Sequence, residues 1–384
     1  MSFHTLSARE VIANLSAFDT VIDARSEAEY AEDHLSGAVN WPTLNNDERR
    51  SIGTLYVQVN AFEAKKRGAA IAARNIAAHI EREVIDKPKD WKPLTYCWRG
   101  GQRSGALSLI LSQIGFRVTL VEGGYKAFRA AVVQDIPRLV PQFDWRVVCG
   151  TTGSGKTRLL KALAAQGAQV IDLEALANHR SSVLGAIPGL AQPTQKRFDT
   201  LIWEALRQFD PARPVFIESE SKKVGNVVLP LSLVDAMRQS PCLNLVLPDA
   251  QRVALLLEDY AFFVRDVEHF CERLQVLAAF RGKVLVERWQ TAVRAGDFET
   301  VVQELLTQHY DPAYLQSIRR NFDQFEKAPI LSPEGYSMQA MEALAARMLQ
   351  DSGQITQTVI SGPDPQSRVR VALPEGMDPG SSPG

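Results

Sequence analysis

The sequence predicts an α/β protein with two consecutive parallel-sheet domains, the second ending in a helical C-terminal part. Short apolar strands alternate with amphipathic helices in two stretches, which is typical of parallel sheets. A proline-marked junction, Ile136–Trp145, separates the stretches, and the pattern after Arg252 is mainly helical. We expect domains over 8–136 and 140–350. The tail over 352–384 is rich in proline, glycine and serine and is expected to be disordered.

The first domain contains three apolar segments that we interpret as strands: Thr20–Arg25, Pro93–Trp98 and Arg117–Gly124. Between the last two, apolar residues recur at helical spacing and Gly115 stands where a helix C-cap glycine belongs. In the second domain we predict further strands at Trp145–Gly150, Gln169–Glu174, Pro214–Ser221 and Leu243–Pro248.

Composition excludes several classes of protein. The 384 residues carry a formal net charge of −1, so the chain is not a globally basic nucleic-acid coat, although a local basic patch stays open. No apolar run approaches the roughly 18 residues that a membrane helix needs, and the N-terminus shows no secretory signal. Four cysteines without paired spacing fit neither a disulfide scaffold nor a zinc site. We therefore expect a cytoplasmic protein with no membrane contact, no metal-ligand motif and no tightly bound cofactor.

A cysteine follows the second predicted strand, ahead of two glycines and a helix start. Such a loop aims backbone N–H groups at one point, and the helix N-terminus adds partial positive charge. A cysteine there is expected to be largely thiolate, the nucleophilic form, although a structural cysteine beside a glycine turn is the plainer alternative. We predict Cys97 as the catalytic residue, within an anion-binding loop formed by Trp98, Arg99, Gly100, Gly101, Gln102 and Arg103.

These residues resemble the rhodanese family. Asp23-Ala24-Arg25, Glu29-Tyr30, the segment His34–Pro42 and Glu122-Gly123-Gly124 resemble further signatures of that family. The resemblance covers about the first third of the chain and implies a rhodanese-like domain in which Cys97 carries a sulfur or selenium atom. It also implies that Asp23 and Arg25 hold the loop from below and that His34 is structural.

The spacing Cys97-x5-Arg103 is one residue longer than in many rhodaneses and is also found in cysteine phosphatases. A longer loop makes a wider cradle, which could accept a tetrahedral oxyanion or a larger chalcogen donor. Phosphatase chemistry therefore stays open.

A second motif opens the next domain. The segment 150–157 fits G-x-x-x-x-G-K-[ST] between a predicted strand and a helix, which is the setting of a phosphate-binding P-loop. Lys156 supplies positive charge to the terminal phosphates, and Thr157 can hold Mg²⁺. Glu218 and Asp172, at strand ends, are candidate acids for a metal-bound water or are simply solvated. The predicted diphosphate-binding residues are Gly150, Gly153, Ser154, Gly155, Lys156 and Thr157, in a P-loop NTPase-like domain. The motif does not specify which diphosphate binds.

The order of the two domains resembles the tRNA 2-selenouridine synthase family. The likeness spans about residues 10–345 and includes the segments 44–49, 172–174, 177–180, 218–221 and 309–314. It implies that wobble 2-thiouridine of tRNA is first S-geranylated by geranyl diphosphate. Selenophosphate then supplies selenium while the geranyl thiol leaves. It also implies selenophosphate synthetase as the source of the donor.

Two alternatives stay open. One is a rhodanese-type sulfurtransferase fused to a nucleotide-dependent kinase, and the other is a nucleotide-switched RNA-binding module without activity. Short basic clusters could form a phosphate track if they share a face. These clusters are Arg49-Arg50, Lys65-Lys66-Arg67, Lys222-Lys223 and Arg319-Arg320.

Overall fold

The structure is a computed structural model that describes residues 3–182 and 184–351. The predicted tail, 352–384, lies outside the described residues. Two five-stranded parallel sheets follow one another along the chain, each flanked by helices, and a helical region follows the second sheet. This arrangement confirms the predicted fold class.

The first sheet has the strand order β1-β5-β4-β2-β3, with all neighbouring pairs parallel. Its strands are β1 His4–Ser7, β2 Thr20–Asp23, β3 Ala38–Asn40, β4 Pro93–Tyr96 and β5 Thr119–Glu122. Its helices are α1 Ala8–Ala13, α2 Glu27–Glu32, α3 Asn46–Gln58, α4 Ala61–Glu83, α5 Gln102–Ile114 and α6 Gly124–Leu139. Local chemistry sets several helix ends: Asn45 and Asn60 cap α3 and α4 through their side chains, and Gly115 ends α5 with a φ of 118°.

The second sheet has the order β12-β11-β6-β8-β7, again with parallel neighbours. Its strands are β6 Trp145–Cys149, β7 Gln169–Ile171, β8 Val215–Glu218, β11 Cys242–Leu245 and β12 Ile330–Leu331, and a separate antiparallel hairpin consists of β9 Lys223–Val224 and β10 Val227–Val228. The helices packed around this sheet are α7 Lys156–Ala165, α8 Leu173–Ala177, α9 Gln195–Gln208, α10 Leu231–Gln239 and α18 Met338–Asp351.

The helical region lies between β11 and α18. Its helices are α11 Asp249–Asp259, α12 Ala261–Arg265, α13 Val267–Gln275, α14 Ala278–Arg281, α15 Lys283–Arg294, α16 Phe298–Leu305 and α17 Asp311–Asn321. One turn of π-helix, Leu306–Tyr310, joins the last two. Single π-helical turns are often found at functional sites.

The two sheet domains share one continuous hydrophobic core. Helix α6 packs against α9, and the ring of Phe128 meets the edge of Trp203 with centroids 5.5 Å apart. Both rings are fully buried, so the contact is part of the core. This packing fixes the position of α9 relative to the cysteine loop. In residues 3–182 and 184–351, none of the helices is both long enough and apolar enough to cross a membrane.

Candidate active site

The cysteine loop connects β4 to α5. Cys97 follows the strand directly and is buried, and the Ser104 hydroxyl in the first turn of α5 donates a hydrogen bond to its Sγ over 3.1 Å. The five residues between Cys97 and Arg103 form the loop, with Gly100 in the left-handed region at φ 65°. The predicted loop residues therefore connect Cys97 to the N-terminus of α5, where Ser104 contacts the thiol.

The loop rests on the backbone that follows β5. The Tyr125 N–H donates to the Cys97 carbonyl over 2.8 Å, and the Lys126 N–H donates to the Trp98 carbonyl over 3.0 Å. A Cβ added at Gly124 would lie 2.2 Å from the Cys97 oxygen and 2.5 Å from the Gly100 nitrogen. A side chain at residue 124 is therefore incompatible with this loop.

The two loop arginines lie in different surroundings. Arg99 is exposed, whereas Arg103 is half-buried and donates to Glu29 over 2.6 and 3.3 Å. Arg49 also pairs with Glu29, over 2.9 Å. Burial raises the pKa of Glu29, but the hydrogen bonds and charge of Arg103 outweigh burial and hold that pKa below its usual value. Glu29 therefore fixes Arg103 beside the loop.

A buried ion pair lies beneath the loop. Arg25 and Asp23 are fully buried and 2.6 Å apart, and the Arg25 guanidinium also donates to the Asp33 carbonyl and lies 4.0 Å from the Tyr125 ring centroid. His34 stacks on Tyr30 with centroids 4.0 Å apart. These contacts make the support of the loop rigid.

The P-loop connects β6 to α7. Gly150, Gly153 and Gly155 have φ values of 153°, 76° and 90°, which favour glycine. The Lys156 ammonium donates to the Gly150 carbonyl over 2.8 Å, and the Gly150 N–H donates to the Tyr314 hydroxyl over 2.8 Å. The Ser154 hydroxyl is buried and has no partner among the described residues. These residues form a cradle suited to phosphate oxygens.

Three carboxylates lie next to the P-loop. Oxygens of Glu174, Glu218 and Glu220 lie within 4.8 Å of one another, and the Thr157 hydroxyl donates to Glu174 over 3.1 Å. Burial raises the pKa of Glu174 to about 7, and burial together with the Glu174 charge raises the pKa of Glu218 well above its usual value. One Glu218 oxygen is buried and has no hydrogen-bond partner in the part of the chain that the structure describes. These groups are able to hold a divalent cation.

Of the two acids considered from the sequence, the structure brings Glu218 to the P-loop. Asp172 instead caps α8, where its side chain accepts the Ala175 N–H over 2.8 Å. Glu174 and Glu220, which complete the acidic cluster, fall in the segments that resemble the selenouridine synthase family. That resemblance was the signal that could have identified them.

Arg252 braces the P-loop and was missed by sequence reasoning. It is buried, donates to the Thr152 carbonyl over 2.8 and 3.0 Å, and pairs with Asp311 over 2.6 Å. Local sequence gives no signal for this contact, because Thr152 and Asp311 are 100 and 59 residues away; the neighbouring partner Asp249 forms only an i,i+3 ion pair. The contact ties the helical region to the phosphate loop.

An apolar cavity opens beside the P-loop. The space inside it that is open to the centre of a water-sized molecule is about 60 Å³. Thr152 of the P-loop is part of its wall, and a Cβ added at Gly153 would lie 3.0 Å from Leu256, another wall residue. Buried Phe263 and Leu305 line the interior, and partly exposed Val302 also lines the wall.

Polar contacts link the two domains near the cysteine loop. Asp33 of the first domain is fully buried, and one of its oxygens accepts hydrogen bonds from the Tyr125 hydroxyl over 2.8 Å and the Thr200 hydroxyl of α9 over 2.9 Å. At the N-terminal end of α9, the Lys196 ammonium lies 5.8 Å from the Trp98 ring centroid. The second domain therefore borders the cysteine loop directly.

The basic clusters are scattered, and several of their charges are paired. Arg49 pairs with Glu29, Arg50 with Asp47, Lys66 with Glu63 and Arg319 with Glu326. Lys222 and Lys223 are exposed at the β9–β10 hairpin, on the chain segment that follows the acidic cluster. This pair is therefore the cluster best placed to meet a polyanion near the P-loop.

Two family models match the two domains of the chain. Residues 143–294 match the family model "tRNA 2-selenouridine synthase AAA domain", and residues 7–131 match "Rhodanese-like domain". A solved N-terminal domain of a protein from Clostridium difficile 630 is 32% identical, covering 33% of this chain and 98% of that one, with a TM-score of 0.29.

Full-length relatives cover both domains. The tRNA 2-selenouridine synthase of Sulfurovum sp. (strain NBC37-1) is 31% identical over 329 residues, covering 78% of this chain and 89% of the relative. That of Pseudomonas putida (strain GB-1) is 30% identical over 357 residues, covering 85% and 94%. Together with the two intact loops, these matches show that the chain belongs to the tRNA 2-selenouridine synthase family.

Proposed function

We propose that this protein converts the wobble 2-thiouridine of tRNA to 2-selenouridine in two steps, using geranyl diphosphate and then selenophosphate. In the first step the uridine sulfur attacks C1 of the geranyl group. A C–S bond forms, the C–O bond to diphosphate breaks, and the uridine N3 proton is lost. In the second step selenium replaces sulfur at C2, and geranyl thiol leaves.

The apolar cavity beside the P-loop carries this proposal. Its walls hold Leu256, Phe263, Val302 and Leu305, and no charged side chain is among the described residues that line it. A diphosphate in the P-loop would therefore have an apolar chamber next to it. This arrangement favours a diphosphate that carries a hydrocarbon chain, because each buried CH₂ group stabilises binding by about 0.8 kcal/mol.

The lining favours a hydrocarbon chain over a nucleotide base. A base needs several directed hydrogen-bond partners, whereas most of the lining is apolar and its polar side chains are those of Thr152, Ser182, Tyr260 and Tyr310. Burial raises the pKa of both tyrosines, so each stays a neutral phenol. An isoprenoid chain makes no such demand on the lining.

A divalent cation fits the acidic side of the P-loop. Thr157 together with Glu174, Glu218 and Glu220 offers a hydroxyl and carboxylate oxygens, the ligands that Mg²⁺ prefers. A cation bound there would neutralise charge on the departing diphosphate. Lys156 provides a fixed positive charge for the same phosphates.

The second step is placed at the cysteine loop, on independent residues. Cys97, the loop amides and Arg103 form a second anion site in a different domain, suited to the phosphate end of selenophosphate. Because S-geranylation turns the sulfur into a group that can leave C2 as geranyl thiol, C2 is open to a selenium nucleophile. The two steps should therefore respond to different mutations.

The test is mass spectrometry of nucleosides from 2-thiouridine tRNA incubated with geranyl diphosphate, with and without selenophosphate. Lys156→Ala should lose S-geranyl product yet still convert pre-geranylated RNA. Cys97→Ser should accumulate S-geranyl-2-thiouridine, because the first step needs no thiolate. Normal geranylation by Lys156→Ala would show that geranyl diphosphate does not use the P-loop.

A second experiment tests the cavity. Val302→Trp fills it from its wall and should weaken geranyl diphosphate binding by at least about tenfold, the effect of losing roughly two buried CH₂ groups, while inorganic pyrophosphate binds as before. Thr300→Trp is the matched control, because Thr300 is exposed on the same helix and does not line the cavity. Equal geranyl diphosphate affinity in both variants would contradict the placement of the chain.

A further inference from the structure

The electron count of selenophosphate limits what Cys97 can do. Selenium in this donor is already selenide bound to pentavalent phosphorus, and selenium in 2-selenouridine has the same oxidation state. If the thiolate accepted a neutral selenium atom, phosphorus would leave with the electron pair as phosphite. Release of selenium from the S–Se bond would then need two electrons from a reductant. Neither phosphite nor a reductant belongs to the proposed reaction.

We propose that Cys97 attacks the phosphorus of selenophosphate, so that the enzyme carries a phosphoryl group and releases selenide in place. This inference rests on the proposed function and specifies the bond that Cys97 forms. It makes the cysteine loop a phosphoryl-transfer site, in agreement with the Cys97-x5-Arg103 spacing.

Three contacts of the loop suit this chemistry. The Ser104 hydroxyl donates to the Cys97 sulfur over 3.1 Å, so it stabilises the thiolate both as nucleophile and as leaving group. Glu29 holds Arg103 through two hydrogen bonds, which fixes a planar donor beside the loop. The loop glycines allow backbone amides to face three phosphate oxygens. Attack of the thiolate on selenium would use only the first of these contacts, whereas transfer of a phosphoryl group uses all three.

The step balances without an oxidant or a reductant. The thiolate forms an S–P bond, the P–Se bond breaks, and hydrogen selenide leaves with the electron pair. That selenide attacks C2 of S-geranyl-2-thiouridine, the C2–S bond breaks, and geranyl thiolate takes a proton from water. Water then cleaves the S–P bond, which restores Cys97 and gives phosphate.

The experiment uses the full chain, S-geranylated RNA and selenophosphate radiolabelled at phosphorus, quenched in acid during turnover. The Cys97 peptide is then examined by mass spectrometry, in which selenium has a distinctive isotope pattern. We expect radiolabel and a phosphoryl mass on Cys97 without that pattern, and no label in Cys97→Ser. Selenium on Cys97 without phosphorus would overturn the proposal.

A second variant keeps the test decisive if wild-type turnover leaves little adduct. Ser104→Ala removes a hydrogen bond to the leaving sulfur and should slow hydrolysis of the adduct by about tenfold, so that phosphocysteine accumulates. Ser108→Ala is the control, because Ser108 is buried on the same helix and bonds to Thr95 instead. If both variants form 2-selenouridine with no adduct, the proposal is wrong. If no 2-selenouridine forms with the wild type, the proposed function itself fails.

Discussion

Replacing Thr200 with valine should lower the free energy of unfolding of the whole chain. The Thr200 hydroxyl donates a hydrogen bond across the domain boundary to the buried carboxylate of Asp33. Asp33 is fully buried, and one of its oxygens accepts hydrogen bonds from Thr200 and Tyr125 over 2.9 and 2.8 Å. The other oxygen has no hydrogen-bond partner among the described residues, and the Arg197 guanidinium lies 3.9 Å from it. Thr200→Val keeps the shape and removes one of two donors.

The expected cost is about 1.5–3 kcal/mol, the usual worth of a hydrogen bond to a charged group. Tyr125→Phe should cost a similar amount. Because both hydroxyls donate to the same Asp33 oxygen, the double variant should lose more stability than the two single variants together. The expected coupling energy is about 0.5–3 kcal/mol.

Urea unfolding, followed by tryptophan fluorescence and circular dichroism, measures these free energies. Thr200→Ser is the control, since it keeps the hydroxyl and loses one methyl group, at about 0.8 kcal/mol. If Thr200→Val unfolds within about 0.5 kcal/mol of the wild type, as ordinary surface changes do, the Asp33 contact does not stabilise the domain boundary.

Three further perturbations address the two loops and the RNA. Gly124→Ala should abolish selenation while geranylation continues, because the added Cβ would lie 2.2 Å from the Cys97 carbonyl oxygen. Gly105→Ala, whose Cβ would have open space around it, should leave both steps intact. Replacing Lys222 and Lys223 together with alanine should reduce the slope of log affinity for tRNA against log salt by about 1.5; an unchanged slope would remove the pair from the interface. Arg252→Met should lower the free energy of unfolding by about 3–5 kcal/mol. It should also weaken pyrophosphate binding, measured by calorimetry; normal affinity would show that Arg252 does not support the P-loop.

The parts of the site that could be predicted from sequence are those encoded by neighbours in the chain. The cysteine loop and the P-loop each lie within eight or nine consecutive residues, and the strands before them are mainly apolar. Strands β1, β3 and β12 were not predicted, because β1 and β3 mix polar with apolar residues and β12 has only two residues. Their pairing with neighbouring strands defines them.

Contacts between distant residues account for the rest. Arg103 was expected to face an anion with its full charge, but Glu29, 74 residues earlier, pairs with it. The cavity combines side chains from the P-loop and several separate helices, so no single segment reveals it. Helical periodicity indicates which faces are buried but not where their packing leaves space.

The hydrogen bond between Gly150 and Tyr314 has a consequence for synthesis on the ribosome. The two residues are 164 positions apart. At about 5–20 residues per second, roughly 8–33 s pass between the appearance of the glycine and that of its partner. During this interval the nascent chain can complete the cysteine domain. Its P-loop, however, still lacks Tyr314, whose hydroxyl accepts the hydrogen bond from the Gly150 N–H. A growing chain is therefore expected to acquire its two anion sites in sequence, the thiol site first.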